Sequence, residues 1–388
     1  MSNTNSSVKE PIIRIVKRTG LKLGHTVLIY VGAILLALLI GCILLASLGV
    51  NPFSFYQKMF TIGVVGNAFP YKCFEGYIKV FTPLLIVSVA LALAYKMKFW
   101  NVGGEGQFTI GALFAGLISA WMGDSAPAFL VLICMCIGGG IAAGLYGSIA
   151  SVLKVKFGTN ETLMTLMLNY IALYIIMFFG ETKADWNILL NEESARPVFK
   201  TFFENAWMPT IKLGSFSLNI SLLIAFVITA LVFVYLKKTK QGYEISVVGD
   251  SISTAKYAGM KTGKIIIRTI FISAFLIGLA GAFYVSTAHS LSTSVTNDVG
   301  WTGVIVAWLS KLNTLAIVVT SALISVLRYG STQAAAEFAS VDAHFADLLQ
   351  GIILFCVLAC DFLTRFKVII NIKHKKALTA VSGEGDNK

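Results

Sequence analysis

Gln241-Gly-Tyr-Glu-Ile-Ser-Val-Val-Gly-Asp250-Ser-Ile-Ser-Thr-Ala-Lys-Tyr-Ala-Gly-Met260 is the longest polar, well-patterned segment in a chain that is otherwise apolar. Lys237, Lys238 and Lys240 precede it, Lys261 and Lys264 follow it, and long apolar runs lie on both sides. A polar island between two apolar runs reads as a structured loop held at the face of a membrane protein. Asp250 or Ser251 is a good N-cap. Ile252, Ala255, Ala258 and Met260 give a small apolar face, and Gly259 is a plausible stop. The segment therefore predicts a short helix over 251–260. Two turns of helix are marginal alone, so it needs a surface to lie on: this chain's own inner face, or a partner.

Outward from that stretch, the composition sets the class. The chain is 56% hydrophobic and 13% charged, with a mean hydropathy of +0.79; soluble domains carry roughly 25% charged residues. Several runs approach the ~20 apolar residues that span a bilayer as a helix. The fold expected is an all-α polytopic membrane protein. The formal charge of +12 points to membrane lipids and not to nucleic acid because of where it lies. Lysine and arginine gather in residues 9–22, at Lys96 and Lys98, at Lys154 and Lys156, from Lys237 to Arg268, at Lys311, and from Arg365 onward. That is the positive-inside pattern, and it attracts anionic headgroups. Arg328 and the lysines between 58 and 79 are the main exceptions.

In chain order, residues 1–26 form a basic tail. Thr26–Leu48 is expected to be a first span retained in place, too long for the apolar core of a signal peptide. Residues 49–79 read as an outer loop. Crossings follow over Val80–Tyr95, Asn101–Met122, Ala128–Leu153, Thr162–Gly180, Leu218–Leu236 and Ile265–Ala288. Val299–Leu309 reads as a half helix, and Thr314–Leu327 and Leu348–Phe366 complete about ten crossings, both termini cytoplasmic. The domain layout is thus a tail to residue 26, a transmembrane body over 27–366 carrying the coupling loop 237–264, and a second cytoplasmic tail over 367–388 expected to be disordered at its end.

Chemistry-bearing motifs are few. No Gly-x-x-x-x-Gly-Lys-[Ser/Thr] occurs; Gly259-Met-Lys-Thr-Gly-Lys264 is one residue short and runs into Ile265. The chain is thus expected to hold no ATP site and to be no enzyme. Its four histidines are scattered, and its six cysteines include no Cys-x-x-Cys pair, so neither a metal nor a disulfide framework is expected. The glycines of Gly138-Gly-Gly140 and of Gly140-x-x-x-Gly144 suit close helix packing. Asn101-Val-Gly-Gly-Glu-Gly-Gln107 reads as a break in helix geometry. Glu105 and Gln107 line a polar pathway there, or the segment is a solvated inner turn in which Glu105 caps the next helix. Thr162, Thr165 and Asn169 share one helix face, which should meet other helices or a pore. Asn169 serves either a neighbouring helix or a solute. The aromatics Trp301, Trp308 and Tyr284, placed in the outer half, suit stacking on a base or a sugar.

Three segments in order carry a resemblance: Asn101-Val-Gly-Gly-Glu-Gly-Gln107, Asn160-Glu-Thr-Leu-Met-Thr-Leu-Met-Leu-Asn-Tyr170, and Gly242-Tyr-Glu-Ile-Ser-Val-Val-Gly249 with Ala255-Lys-Tyr-Ala-Gly-Met260. They resemble ATP-binding cassette importer permeases of the group that takes in ribose-type, branched-chain amino-acid and nucleoside permeases, the nucleoside (basic membrane protein-associated) branch most of all. The likeness runs from about residue 80 to 366. Ser246 and Thr314 depart from the basic residue and the proline often found there. The resemblance implies a second permease subunit, two cytoplasmic ATPase subunits that hydrolyse ATP, and an extracytoplasmic substrate-binding lipoprotein. It implies a docking surface on Tyr243, Glu244, Gly249 and Asp250, continuing through Ala255, Tyr257, Ala258 and Gly259. It also implies a translocation pathway past Glu105, Gln107, Thr165, Asn169 and Trp308. The expected solute is a nucleoside, with a simple sugar or a branched-chain amino acid as the alternative. An ion-coupled secondary transporter would keep ionisable residues in mid-helix, whereas this chain keeps nearly all of them near helix ends.

Overall fold

A computed structural model describes residues 13–17, 23–61, 70–191, 193–338, 340–341 and 344–370. The chain divides into two compact units, one of Met1–Pro52 with Asp347–Lys388 and one of Phe53–Ala346. In the smaller unit, α1 spans Leu23–Ser47 and most of α13, Phe345–Arg365, follows the larger unit in sequence. Two strands, β1 (Ile13–Lys17) and β4 (Phe366–Ile370), pair antiparallel with Ile13 opposite Ile370. The expected basic tails therefore hold a strand pair at their inner ends. The expected disorder near the C-terminus falls on residues 371–388, which lie outside the described residues.

The larger unit is helical. It comprises α2 (Pro52–Phe60), α3 (Pro70–Lys96), α4 (Gly104–Met122), α5 (Ala128–Phe157), α6 (Glu161–Glu181), α7 (Ile220–Lys238), α8 (Lys240–Asp250), α9 (Ile252–Tyr257), α10 (Thr262–Ala288), α11 (Val299–Leu309) and α12 (Thr314–Glu337). Between α6 and α7 lie a 3-10 turn at Glu204–Ala206 and a hairpin, β2 (Thr210–Leu213) with β3 (Phe216–Asn219). Among the described residues, six helices are long and apolar enough to cross a membrane: α3, α5, α6, α7, α10 and α12. The chain is a multi-pass membrane protein.

Three expectations change. The outer loop of 49–79 contains α2 and the first turns of α3, so α3 begins at Pro70 and not at Val80. Lys72, Glu75 and Lys79 had interrupted the apolar run, but a helix end beyond the hydrocarbon tolerates charge. The loop over 237–264 is two helices at an angle, not a loop with one. And the protein is not purely helical, since two strand pairs occur.

The core is built on α3, whose residues from Thr82 to Ala94 are all buried. A helix buried on every side is apolar all round, and Leu84-Leu-Ile-Val-Ser-Val-Ala-Leu-Ala-Leu-Ala94 meets that demand. Ser88, the polar exception, donates its hydroxyl to the Leu84 carbonyl at 2.6 Å. Helices α4, α5 and α10 pack through small residues: a methyl on Gly139 would lie 2.6 Å from the Gly111 carbonyl oxygen, and one on Gly111 would overlap Gly278. Gly140 and Gly144 lie under the rings of Phe275 and Phe271. The packing role expected of these glycines holds.

Candidate functional site

The opening stretch folds as an elbow. Thr239 caps α8 by accepting the Gly242 N–H at 3.1 Å, and Ser251 caps α9 by accepting the Thr254 N–H at 3.2 Å. The chain turns between them at Ser251, which is fully extended. Ile245, Val248, Gly249 and Ala255 face inward and are buried. Gly249 lies on the backbone of Lys96 and Met97 at the end of α3. Glu244 accepts a 3.0 Å ion-paired hydrogen bond from Arg268 of α10. So Gly249, Ala255 and Glu244 bind the elbow to its own chain. Tyr243, Asp250, Tyr257, Ala258 and Gly259 are exposed, and Tyr257 at 97% has almost no contact with the other described residues. Gly259 has φ +75°, so the chain leaves α9 in a conformation that suits glycine.

The second cluster lies where α4 and α11 begin. Asn101 and Gln107 exchange side-chain amide hydrogen bonds of 3.1 and 3.0 Å, both fully buried. Thr165 accepts the Val102 N–H at 3.2 Å and donates to the Glu161 carbonyl at 2.8 Å. Asn169 accepts the Gly106 N–H at 2.9 Å and donates to the Val102 carbonyl at 2.9 Å. The polar face of α6 thus satisfies the irregular backbone of 101–106, which within a membrane must find its partners in protein or a watery cavity. For Asn169, bonding to a neighbouring segment is what the geometry shows.

Glu105 does not cap its own helix in a solvated turn. It is buried, and its Oε1 accepts the Trp301 N–H at 3.1 Å in the first turn of α11. Among the described residues its Oε2 makes no hydrogen bond. Gly104 and Gly300 let the two helix starts touch: a methyl on Gly300 would stand 2.7 Å from the Gly104 carbonyl carbon. Two positive helix termini thus converge on one carboxylate. Trp308, at the other end of α11, adjoins this cluster through Tyr95, whose hydroxyl donates to the Asn101 carbonyl at 2.8 Å. It stacks on Trp100 with centroids 5.0 Å apart and meets Tyr95 at 5.5 Å, beside Lys96, Lys98, Lys237 and Lys311. The helix α11 runs from Glu105 toward those lysines, so Trp308 shares its end of the protein with them.

Residues 73–358 match the family described as branched-chain amino acid transport system / permease component. The chain belongs to that family. The permease is 29% identical over 313 residues to the nucleoside ABC transporter permease protein NupB of Lactococcus lactis subsp. cremoris, covering 79% of this chain and 84% of the relative. It is 27% identical over 367 residues to the guanosine ABC transporter permease protein NupP of Bacillus subtilis, covering 92% and 99%. The glucose ABC transporter permease protein TsgB13 of Haloferax volcanii is 23% identical over 350 residues, covering 86% and 88%.

One feature of the permease escaped sequence reasoning. A cavity of about 200 Å³ is lined by Lys79, Pro83, Tyr284, Thr287, Asn297 and Arg328. Arg328 is buried, donates to the Thr302 hydroxyl at 2.9 Å and lies 4.0 Å from Asp298. In the sequence Arg328 registered only as a charge out of place; a buried ionisable residue in a membrane helix was the available signal. Tyr284, noted for its ring alone, lies beside it.

Proposed function

We propose that this permease is a membrane-spanning subunit of an ATP-binding cassette importer that carries nucleosides inward. Separate ATPase subunits seat on the elbow from the cytoplasm, and a substrate-binding lipoprotein delivers the solute from outside. The observation that carries the reading is the two-sided elbow: one side bound to α3 and α10, the other presenting Tyr243, Asp250 and Tyr257, which are exposed among the described residues. A short helix built that way transmits force between an outside partner and the transmembrane helices. The chain itself binds no cofactor in this scheme, and ATP is hydrolysed by the partners.

About ten membrane segments then comprise the six long apolar helices, α1, α4 and α13, and the half helix α11, both termini being cytoplasmic. At about 1.5 Å per residue, α11 reaches only part-way through the bilayer. Its start and that of α4 form a break of the kind that lines solute sites in transporters. Glu105, Gln107, Thr165 and Asn169 shape that break, and Trp308 marks its inner end. The cavity at Tyr284 is below the roughly 300–1,000 Å³ of closed ligand pockets. It suits one wall of a pathway that a second permease subunit completes. Nucleoside as solute rests on the two relatives named for nucleosides; the glucose permease among the relatives sustains a sugar as the second reading.

The test is Tyr257→Asp in the assembled transporter. Membrane insertion is expected to persist, with uptake falling at least tenfold relative to ATP hydrolysis; normal coupling would overturn the docking role. Calorimetric titration of the partner lipoprotein with nucleosides, glucose and leucine separates the solute classes.

A further inference from the structure

Helix α6 has two unlike faces. One buries Thr165, Leu168, Asn169, Ala172, Ile176 and Gly180 against its own chain. The other presents Leu163, Met167, Tyr170, Tyr174 and Phe178, which are 49–65% exposed. These five recur at intervals of four, three, four and four residues, the spacing of a seam that packs against another helix. The other exposed flanks differ in chemistry. Helix α5 presents Ile133, Ile137, Ile141, Leu145 and Ile149, and α7 presents Leu223, Phe226, Val227, Leu231 and Val234, with no hydroxyl among them. Such flanks suit acyl chains.

Depth makes the two tyrosines of α6 informative. The helix has 21 residues, Glu161–Glu181; at about 1.5 Å per residue it is roughly 30 Å long, the thickness of the hydrocarbon core. Tyr170 and Tyr174 stand about 14 and 20 Å from its Glu161 end on the same scale, so neither reaches the headgroups. Tyrosine is at home at that level. At mid-depth its hydroxyl needs a partner, and polar groups there turn to protein or to a watery cavity and not to lipid. Tyr77, Tyr95 and Tyr146 show the usual solution: each donates to a carbonyl outside its own helix, those of Ala322, Asn101 and Leu168. Among the described residues the hydroxyls of Tyr170 and Tyr174 have no acceptor. A watery channel would satisfy the phenols but would wet Leu163, Met167 and Phe178 on the same seam. A protein surface satisfies both.

We propose that this face of α6 is where the second permease subunit packs, an inference that rests on reading the chain as one subunit of an importer. Subunits related by a twofold axis along the membrane normal bring equivalent positions together at the same depth. A phenol both donates and accepts a hydrogen bond, so tyrosine suits such a self-facing position. Side chains that hydrogen-bond across helices hold membrane interfaces together in this way.

The test uses the assembled transporter in membrane vesicles, with photoreactive p-benzoylphenylalanine in place of Tyr174 and, as the control, of Ile141. The mass of the wild-type complex is read first. Two permease subunits are what the importer reading requires, and a complex with one would overturn that reading together with this face. With two present, irradiation is expected to join position 174 to the second subunit at least fivefold more often than position 141. An adduct confined to lipid or to the same chain, or one equally frequent from both positions, overturns the proposal and leaves the importer reading standing. Labelling of Tyr174→Cys by a membrane-impermeant maleimide overturns it in favour of a watery channel. Tyr170→Phe with Tyr174→Phe keeps both rings and removes both hydroxyls. That pair should lower the fraction of complexes retaining both permeases in detergent at least threefold, and an unchanged fraction overturns the pairing of the phenols.

Discussion

Gly249→Ala is the sharpest perturbation of the elbow. An added methyl would overlap the Lys96 carbonyl oxygen and stand 3.2 Å from both the Lys96 carbonyl carbon and the Met97 Cα. Every one of those neighbours is backbone at the end of α3, so no side chain can swing away, and α8 must lift from α3. Overpacking of this kind costs about 1–3 kcal/mol. At about 1.4 kcal/mol per tenfold, the ratio of seated to lifted elbow shifts roughly 5- to 140-fold. The helix itself loses nothing, since alanine is the better helix former; the effect therefore reports the joint. The assay is solute taken up per ATP hydrolysed by the assembled transporter in proteoliposomes, with the exposed Ser253→Ala on α9 as the control. Gly249→Ala should lower that ratio at least fivefold while Ser253→Ala leaves it unchanged. Wild-type coupling in Gly249→Ala would refute the view that the elbow acts through its seat on α3.

Other perturbations address the remaining contacts. Glu244→Gln removes the charge that pairs with Arg268 and leaves only a neutral acceptor. The pair is partly exposed, so its contribution to stability is at most about 1 kcal/mol; a thermal melt should move little, while uptake per ATP falls and the reciprocal Glu244→Arg/Arg268→Glu exchange restores part of it. Tyr284→Ala at the far cavity should raise KM for nucleoside uptake by roughly 5- to 140-fold, because stacking of an aromatic side chain on a base is worth about 1–3 kcal/mol. Tyr284→Phe should keep most of the affinity, and an unchanged KM in Tyr284→Ala would remove that ring from the pathway.

Much of the framework can be read from local sequence. The long apolar runs of α5, α6, α7 and α10 announce themselves, and the three motif segments lie where the structure concentrates its polar contacts. What local sequence hides is partnership across long separations. Glu105 looks like a cap for its own helix; its partner, the Trp301 N–H, is 196 residues away, and only packing brings it there. Strand β1 finds β4 some 350 residues on. Helix α8 is hidden differently. Gly242 and Gly249 each count against a helix by about 1 kcal/mol. Yet Gly249 permits the close seat on α3, so tertiary contact returns what propensity loses.

The elbow, the two helix starts and the far cavity are joined by one element. Helix α3 meets the elbow at Lys96 and Met97. Its middle accepts the Ser273 hydroxyl of α10 at the Ala90 carbonyl, at 2.7 Å. Gly303 of α11 packs on Val87 and Leu91 of the same stretch. The other end of α3 reaches the cavity at Lys79 and Pro83. From Thr82 to Ala94 it is buried throughout, and close-packed interiors transmit displacement with little compression. Pro83 then matters for where the rigid run stops, because a proline inside a helix removes one backbone hydrogen bond and marks a site of bending. A push on the elbow would thus travel the stiff half of α3, move α11 where it is packed at Gly303, and shift Trp301 against Glu105, while the segment before Pro83 is held to β3 by the Ser217 N–H on Glu75 and to α12 by the Tyr77 hydroxyl on the Ala322 carbonyl. In that scheme the polar break at Glu105 is the part displaced and Pro83 the part that yields, which is why the joint at Gly249, far from both, is the place where a single methyl should disconnect them.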